Sequence, residues 1–94
     1  MGHCEYGRLK DLEPVLNEIR AWEGIRENAP GVFYFKRVPF LHFHSKEDER
    51  WADVKDGSGT WGAPVKIAFE SSASARKAFL REVKRRYAEM AVGR

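Results

Sequence analysis

The sequence predicts an α+β two-layer sandwich, with an antiparallel sheet of about four strands covered on one face by an N-terminal and a C-terminal helix. Three observations predict it. A segment near each end repeats apolar residues at helical spacing. Between them lie short runs rich in Val, Ile and aromatic residues, separated by turn residues. The connections between those runs are too short for crossovers, so neighbouring strands must run antiparallel. The expected order is α-β-β-β-β-α in a single domain spanning the 94 residues.

The elements follow in chain order. Met1–Lys10 has no clear period and is expected to fray in part. The first helix is predicted from Asp11 to about Glu27, with Asp11 as N-cap and Pro14 in the first turn. Leu12, Val15, Leu16, Ile19 and Trp22 form its apolar stripe, and Asn28-Ala29-Pro30-Gly31 breaks it. Gly31–Val38 and Pro39–His44 are predicted as a tight hairpin, Arg50–Lys55 as the third strand and Pro64–Phe69 as the fourth. Asp56-Gly57-Ser58-Gly59-Thr60 is a loop of strong turn formers. Ser71 and Ser72 compete to cap the second helix, which runs to about Met90. Its stripe is Ala75, Phe79, Val83, Tyr87 and Met90, widened by Ala78 and Leu80.

Strand side chains alternate between the two faces of a sheet, so each strand divides into two sets. Phe33, Phe35, Leu41, Phe43, Ala52, Val54, Val65, Ile67 and Phe69 are uniformly apolar and belong under the helices. The opposite set is Tyr34, Lys36, Phe40, His42, His44, Trp51, Asp53 and Lys55, followed by Lys66 and Ala68, with Trp61 joining from the loop. A solvated face would carry Thr, Ser, Lys and Glu. This one interleaves aromatic rings with imidazoles, and an exposed patch of that kind marks an interaction site. The assignment depends on register, since a bulge would exchange the sets locally.

Composition narrows the function classes. Charged residues make up 33% and hydrophobic residues 43%, the balance of a globular domain. The net charge is only +3. A single cysteine, Cys4, excludes an internal disulfide framework and a Cys-rich zinc module. No apolar run approaches the roughly 20 residues of a membrane helix. The start of the chain has no apolar leader core, so a cytoplasmic location is expected. The six Phe, three Trp and three Tyr are many for one small core, which again places some of them on a second, binding face.

His42-Phe43-His44 is the sharpest local feature. Two imidazoles at i and i+2 of a strand point the same way, and zinc or another divalent metal can use that spacing with Asp53 as a third ligand. Glu47, Asp48 and Glu49 in the adjacent turn, or His3 and Cys4 from the N-terminus, are further third ligands. Only two ligands are fixed by spacing, so no cofactor is expected and the metal stands as an alternative. His42 or His44 beside Asp53 also has the makings of a general base, with Lys36, Lys55 or Tyr34 to stabilise charge. No nucleophile elbow, phosphate loop or metalloprotease motif accompanies it, so enzymatic activity is not expected. Arg76, Lys77, Arg81, Lys84, Arg85 and Arg86 make the second helix basic, an alternative footprint for nucleic acid. A basic helix face is also what ordinary solvation produces.

Ala21-Trp22-Glu23-Gly24-Ile25, the run Phe35-Lys36-Arg37-Val38-Pro39-Phe40-Leu41-His42-Phe43-His44, and Trp51-Ala52-Asp53-Val54-Lys55 precede an Arg/Lys-rich terminal helix. Together they resemble small bacterial proteins of unknown function, and the layout is similar to a bacterial family that carries a luciferase-like label. The likeness covers most of the chain in element order and short stretches in residues. The chain is shorter than those proteins and lacks their His-rich middle segment, so the label implies nothing about activity and the resemblance implies a bacterial domain of unknown function. The leading expectation is a small ligand-binding or protein-interaction domain. It acts as a homodimer through the aromatic and histidine face, with no role at a membrane.

Overall fold

The computed structural model describes residues 5–92. Its centre is a five-stranded antiparallel sheet in the order β1-β2-β3-β4-β5, flanked in sequence by a helix at each end. The elements are α1 (Glu13–Arg20), β1 (Ile25–Ala29), β2 (Val32–Phe35), β3 (Val38–Lys46), β4 (Glu49–Val54), β5 (Val65–Lys66) and α2 (Ala73–Val92). Two 3-10 turns, Tyr6–Arg8 and Lys10–Leu12, precede α1. One core joins Val15, Leu16 and Ile19 of α1 and Phe79, Val83 and Met90 of α2 to Phe33, Phe35, Leu41, Phe43, Ala52 and Val54 of the sheet. The predicted architecture is therefore the observed one, with one strand more.

That strand, β1, occupies the end of the predicted first helix. The helix stops at Arg20, where the backbone tightens: Ala21 and Trp22 donate to Glu18 and Ile19, three residues back. Gly24 then takes φ +84°, which reverses the chain, and a Cβ there would come within 2.7 Å of the Phe35 ring. Ile25, Arg26 and Glu27 emerge opposite Phe35, Tyr34 and Phe33. At the other end, the predicted fourth strand contracts to Val65–Lys66, although Ile67 still donates its N–H to Arg50 O at 3.1 Å and stays buried.

The β2–β3 hairpin turns at Lys36-Arg37, so β2 ends at Phe35 rather than Val38 and β3 starts at Val38 rather than Pro39, with both turn residues left-handed at φ 49° and 75°. Such a turn normally takes Asn-Gly. A left-handed residue with a Cβ costs about 1–2 kcal/mol. Beyond the turn the register slips. Phe33 faces Leu41 but Tyr34 faces Pro39, leaving Phe40 unopposed. This bulge turns Phe40 and Leu41 both toward the core, each 0% exposed. Phe40 therefore does not belong to the open face, where strict alternation had put it.

The turns from Arg8 to Leu12 are tied into the fold. Residues 1–4 lie outside the described residues, but Leu9 is fully buried. Asp11 is not a helix cap; it sits in the second 3-10 turn and accepts from Arg50 Nη1 at 2.7 Å and Nη2 at 2.9 Å. It also accepts from the Glu70 backbone N–H at 2.8 Å. Arg50 completes its donor set on the carbonyls of Arg8, Ile67 and Ala68, which engages all five N–H groups of a guanidinium. One buried side chain of β4 thereby binds the N-terminal turns and the segment after β5.

On α2, Ser72 Oγ accepts the Ala75 N–H at 3.1 Å, so Ser72 is the cap. Phe79, Val83 and Met90 face the core, whereas Ala75 and Ala78 are exposed. Tyr87 is half-buried beside Trp22 and Phe35, with ring centroids 5.0 and 5.5 Å away, and donates its hydroxyl to Glu23 O at 2.6 Å. The buried stripe also contains Arg86, which donates to Val54 O and Ala63 O and so fastens α2 to the loop after β4.

Candidate functional site

The helices leave one sheet face open. Cross-strand register places Val32, His42 and Asp53 in one row and His44, Trp51 and Lys66 in the next. Burial of Leu41, Phe43, Ala52 and Val54 on the opposite side fixes this arrangement, because a one-residue slip would exchange the faces. The loop after β4 folds back through a bridge between Lys55 and Trp61, which brings Trp61 onto the face.

The rings form a continuous ladder. Trp61 lies 4.9 Å from His42, His42 lies 5.9 Å from His44, and His44 stacks on Trp51 at 5.8 Å, measured between centroids. Lys55 Nζ sits 4.8 Å from the Trp61 ring centre, a cation–π contact. His44 Nε2 is 3.1 Å from Asp53 Oδ2, which fixes the orientation of that imidazole. Tyr34, His42, His44, Trp51, Asp53 and Lys55 are half-buried, while Trp61 is 44% exposed. The result is a flat, pre-ordered surface that stacks against planar groups and offers polar atoms between its rings.

Of the predicted face, Tyr34, His42, His44, Trp51, Asp53 and Lys55 lie where alternation put them. Lys36 has moved to the hairpin turn at the corner, with Nζ 5.4 Å from the Phe35 ring centre. Among the described residues, no three His, Cys, Asp or Glu side chains are gathered as a metal requires. His42, His44 and Asp53 share the face, but the His42 ring leans on Trp61 while His44 addresses Asp53, so the alternative metal set does not converge. The further ligands His3 and Cys4 lie outside the described residues.

The basic residues of α2 do not make one stripe either. Arg86 is buried, and Arg85 pairs with Glu82 and Glu89. Hydrogen bonds from Arg85 first, then Arg86, hold the Glu82 carboxyl down at about 2. Lys84 lies over the Trp22 ring, and Arg76 caps the carbonyl of Ser71. Much of the charge that resembled a nucleic-acid footprint is thus spent within the fold.

Sequence reasoning passed over Arg26 and the buried role of Arg50, and it read Arg86 only as part of the basic face of the second helix. The last two carried a signal: Arg50 shares the parity of Ala52 and Val54, and Arg86 falls between Val83 and Met90 on the apolar stripe. Arg26 carried none, because its segment continues the helical pattern of α1. No helix among the described residues is long and apolar enough to cross a membrane. Comparison with protein-family models, curated proteins and solved structures gave no match.

Proposed function

We propose that this chain is an interaction domain that pairs with a second copy of itself through the open face of the sheet. The observation that carries the reading is the ring ladder ending in exposed Trp61. Trp and Tyr anchors of this kind dominate interface energetics. The face is also self-complementary in charge. It carries Asp53 together with Lys55 and Lys66, so a two-fold axis can set a lysine of one copy against the carboxylate of the other. Pairing through sheet edges is the poorer route. The β5 edge is only two residues long, and the β1 edge is irregular between Glu27 and Ala29.

Subunit mass tests the reading, by light scattering and native mass spectrometry of the untagged chain at micromolar concentration. A dimer is expected, and Trp61→Ala is expected to raise its dissociation constant about tenfold or more with the far-ultraviolet spectrum unchanged. A wild-type monomer up to millimolar concentration overturns it. A monomer that retains a small molecule reassigns the face to ligand binding.

A further inference from the structure

The turn between β2 and β3 is made of residues that its conformation disfavours. Both positions are left-handed, the setting for Asn-Gly, and they hold Lys36 and Arg37. Strain of this kind collects at ligand clamps and binding sites. Beside the turn, β1 presents Arg26 directly opposite Tyr34, and Asn28 follows two residues on. With Ile25, these residues line a cleft of about 500 Å³ at the corner of the open face.

Three cations line this cleft and no carboxylate does. Four other arginines have acidic partners, Arg20 with Glu13 and Glu27, Arg50 with Asp11, and Arg85 and Arg86 with Glu82, while Arg8 and Arg76 donate to backbone carbonyls. Among the described residues, Arg26, Lys36 and Arg37 have no ion-pair partner. Glu27, the acid next to Arg26, is already held by Arg20 and by the N–H of Gly31. Three like charges held together at a strained corner, without a counter-charge, form a site that an anion completes.

We propose that this cleft binds a small phosphorylated ligand with a flat ring, of about the size of a nucleoside monophosphate. Two arginines and a lysine match the geometry and double charge of a phosphate better than a single carboxylate. The half-buried Tyr34 ring and Ile25 supply an apolar wall for the flat part, and the Asn28 amide supplies a donor and an acceptor at its edge. The volume lies within the roughly 300–1,000 Å³ of small-molecule sites. This site is separate from the ring ladder and does not rest on dimerisation.

Titration calorimetry at low ionic strength tests it, with adenosine 5′-monophosphate as the probe and adenosine and inorganic phosphate as comparators. Sub-millimolar binding of the monophosphate is expected, weakening as salt rises. Both comparators are expected to bind about tenfold more weakly or worse, since each keeps only half of the recognition. Arg26→Gln is expected to reduce affinity by about tenfold through loss of a charge-assisted contact. The double variant Lys36→Asn with Arg37→Gly relaxes the turn, so it is expected to melt at a higher temperature while losing about tenfold or more in affinity. Greater stability with weaker binding is an outcome that a purely structural turn would not produce.

No heat with millimolar monophosphate, or equal affinity in wild type and both variants, overturns the proposal. So does tighter binding of a ten-nucleotide oligothymidylate that depends on the same residues, which would assign the cleft to single-stranded nucleic acid. Subunit mass measured on these variants keeps the outcome separate from the dimer reading.

Discussion

Replacing Asp11 with alanine is expected to cost about 3–5 kcal/mol, the usual penalty for stranding one partner of a buried ion pair. The Arg50 side chain is 0% exposed and that of Asp11 25% exposed, so solvent screens the pair little. The substitution removes two of the five acceptors that surround the guanidinium, together with the carboxylate oxygen that accepts from the Glu70 N–H. A domain of this size has only about 5–14 kcal/mol of total stability, so the variant is expected to be partly unfolded at 37 °C. Asp11→Asn keeps one oxygen acceptor and is expected to lose less. Urea unfolding at pH 7 measures both. A loss below about 1 kcal/mol for Asp11→Ala would mean that the pair behaves like an exposed one.

Acid provides a second reading of the same contact. Hydrogen bonds from Arg50 hold the Asp11 carboxyl below its ordinary value, against the opposing effect of burial. Because the folded-state value is the lower one, the stabilisation is complete above the unfolded value of about 3.9 and is lost as pH falls through the folded one. The wild type should therefore lose stability below about pH 4, whereas Asp11→Ala should show a shallower slope there. The two curves should converge in acid. Parallel curves would exclude Asp11 as the titrating group.

Much of the fold was legible because its two longest strands, β3 and β4, alternate strictly along the stretch where they pair. In β3 and β4, Leu41, Phe43, Ala52 and Val54 point inward while His42, His44, Trp51 and Asp53 point outward, so period two identified most of the site. The edge strand β1 was not legible. Ile25-Arg26-Glu27-Asn28-Ala29 contains no buried side chain and is held mainly by backbone pairing, which leaves no hydrophobic period. Its misreading as helix also hid Arg26 and hence the cationic cleft. The Phe40 bulge was illegible for another reason. Phe40-Leu41 fits either parity, and the choice is made by the short turn on the partner strand, where Lys36-Arg37 gives none of the usual Asn-Gly signal.

The run His42-Phe43-His44 separates what holds the fold from what the surface does, and substitution should divide it the same way. Phe43 is 0% exposed and stacks on Phe79 of α2 at 5.6 Å with rings 24° apart, joining the middle of the sheet to the long helix. Phe43→Ala removes that contact and leaves a cavity among Leu9, Gly31 and Phe79, for an expected loss of about 3–5 kcal/mol. At about 4–8 °C per kcal/mol, the melting temperature should fall by more than about 12 °C. A double-mutant cycle with Phe79→Ala should return a coupling of about 0.5–1.5 kcal/mol, and strict additivity would deny that the rings act together. The flanking imidazoles are half-buried on the open face, and His42→Ala or His44→Ala should cost the fold no more than about 1 kcal/mol. Their effect should appear instead as weaker self-association, because each breaks the ladder that presents Trp61 and Trp51. If His42→Ala unfolds the domain while Phe43→Ala does not, the two faces of β3 have been assigned the wrong way round.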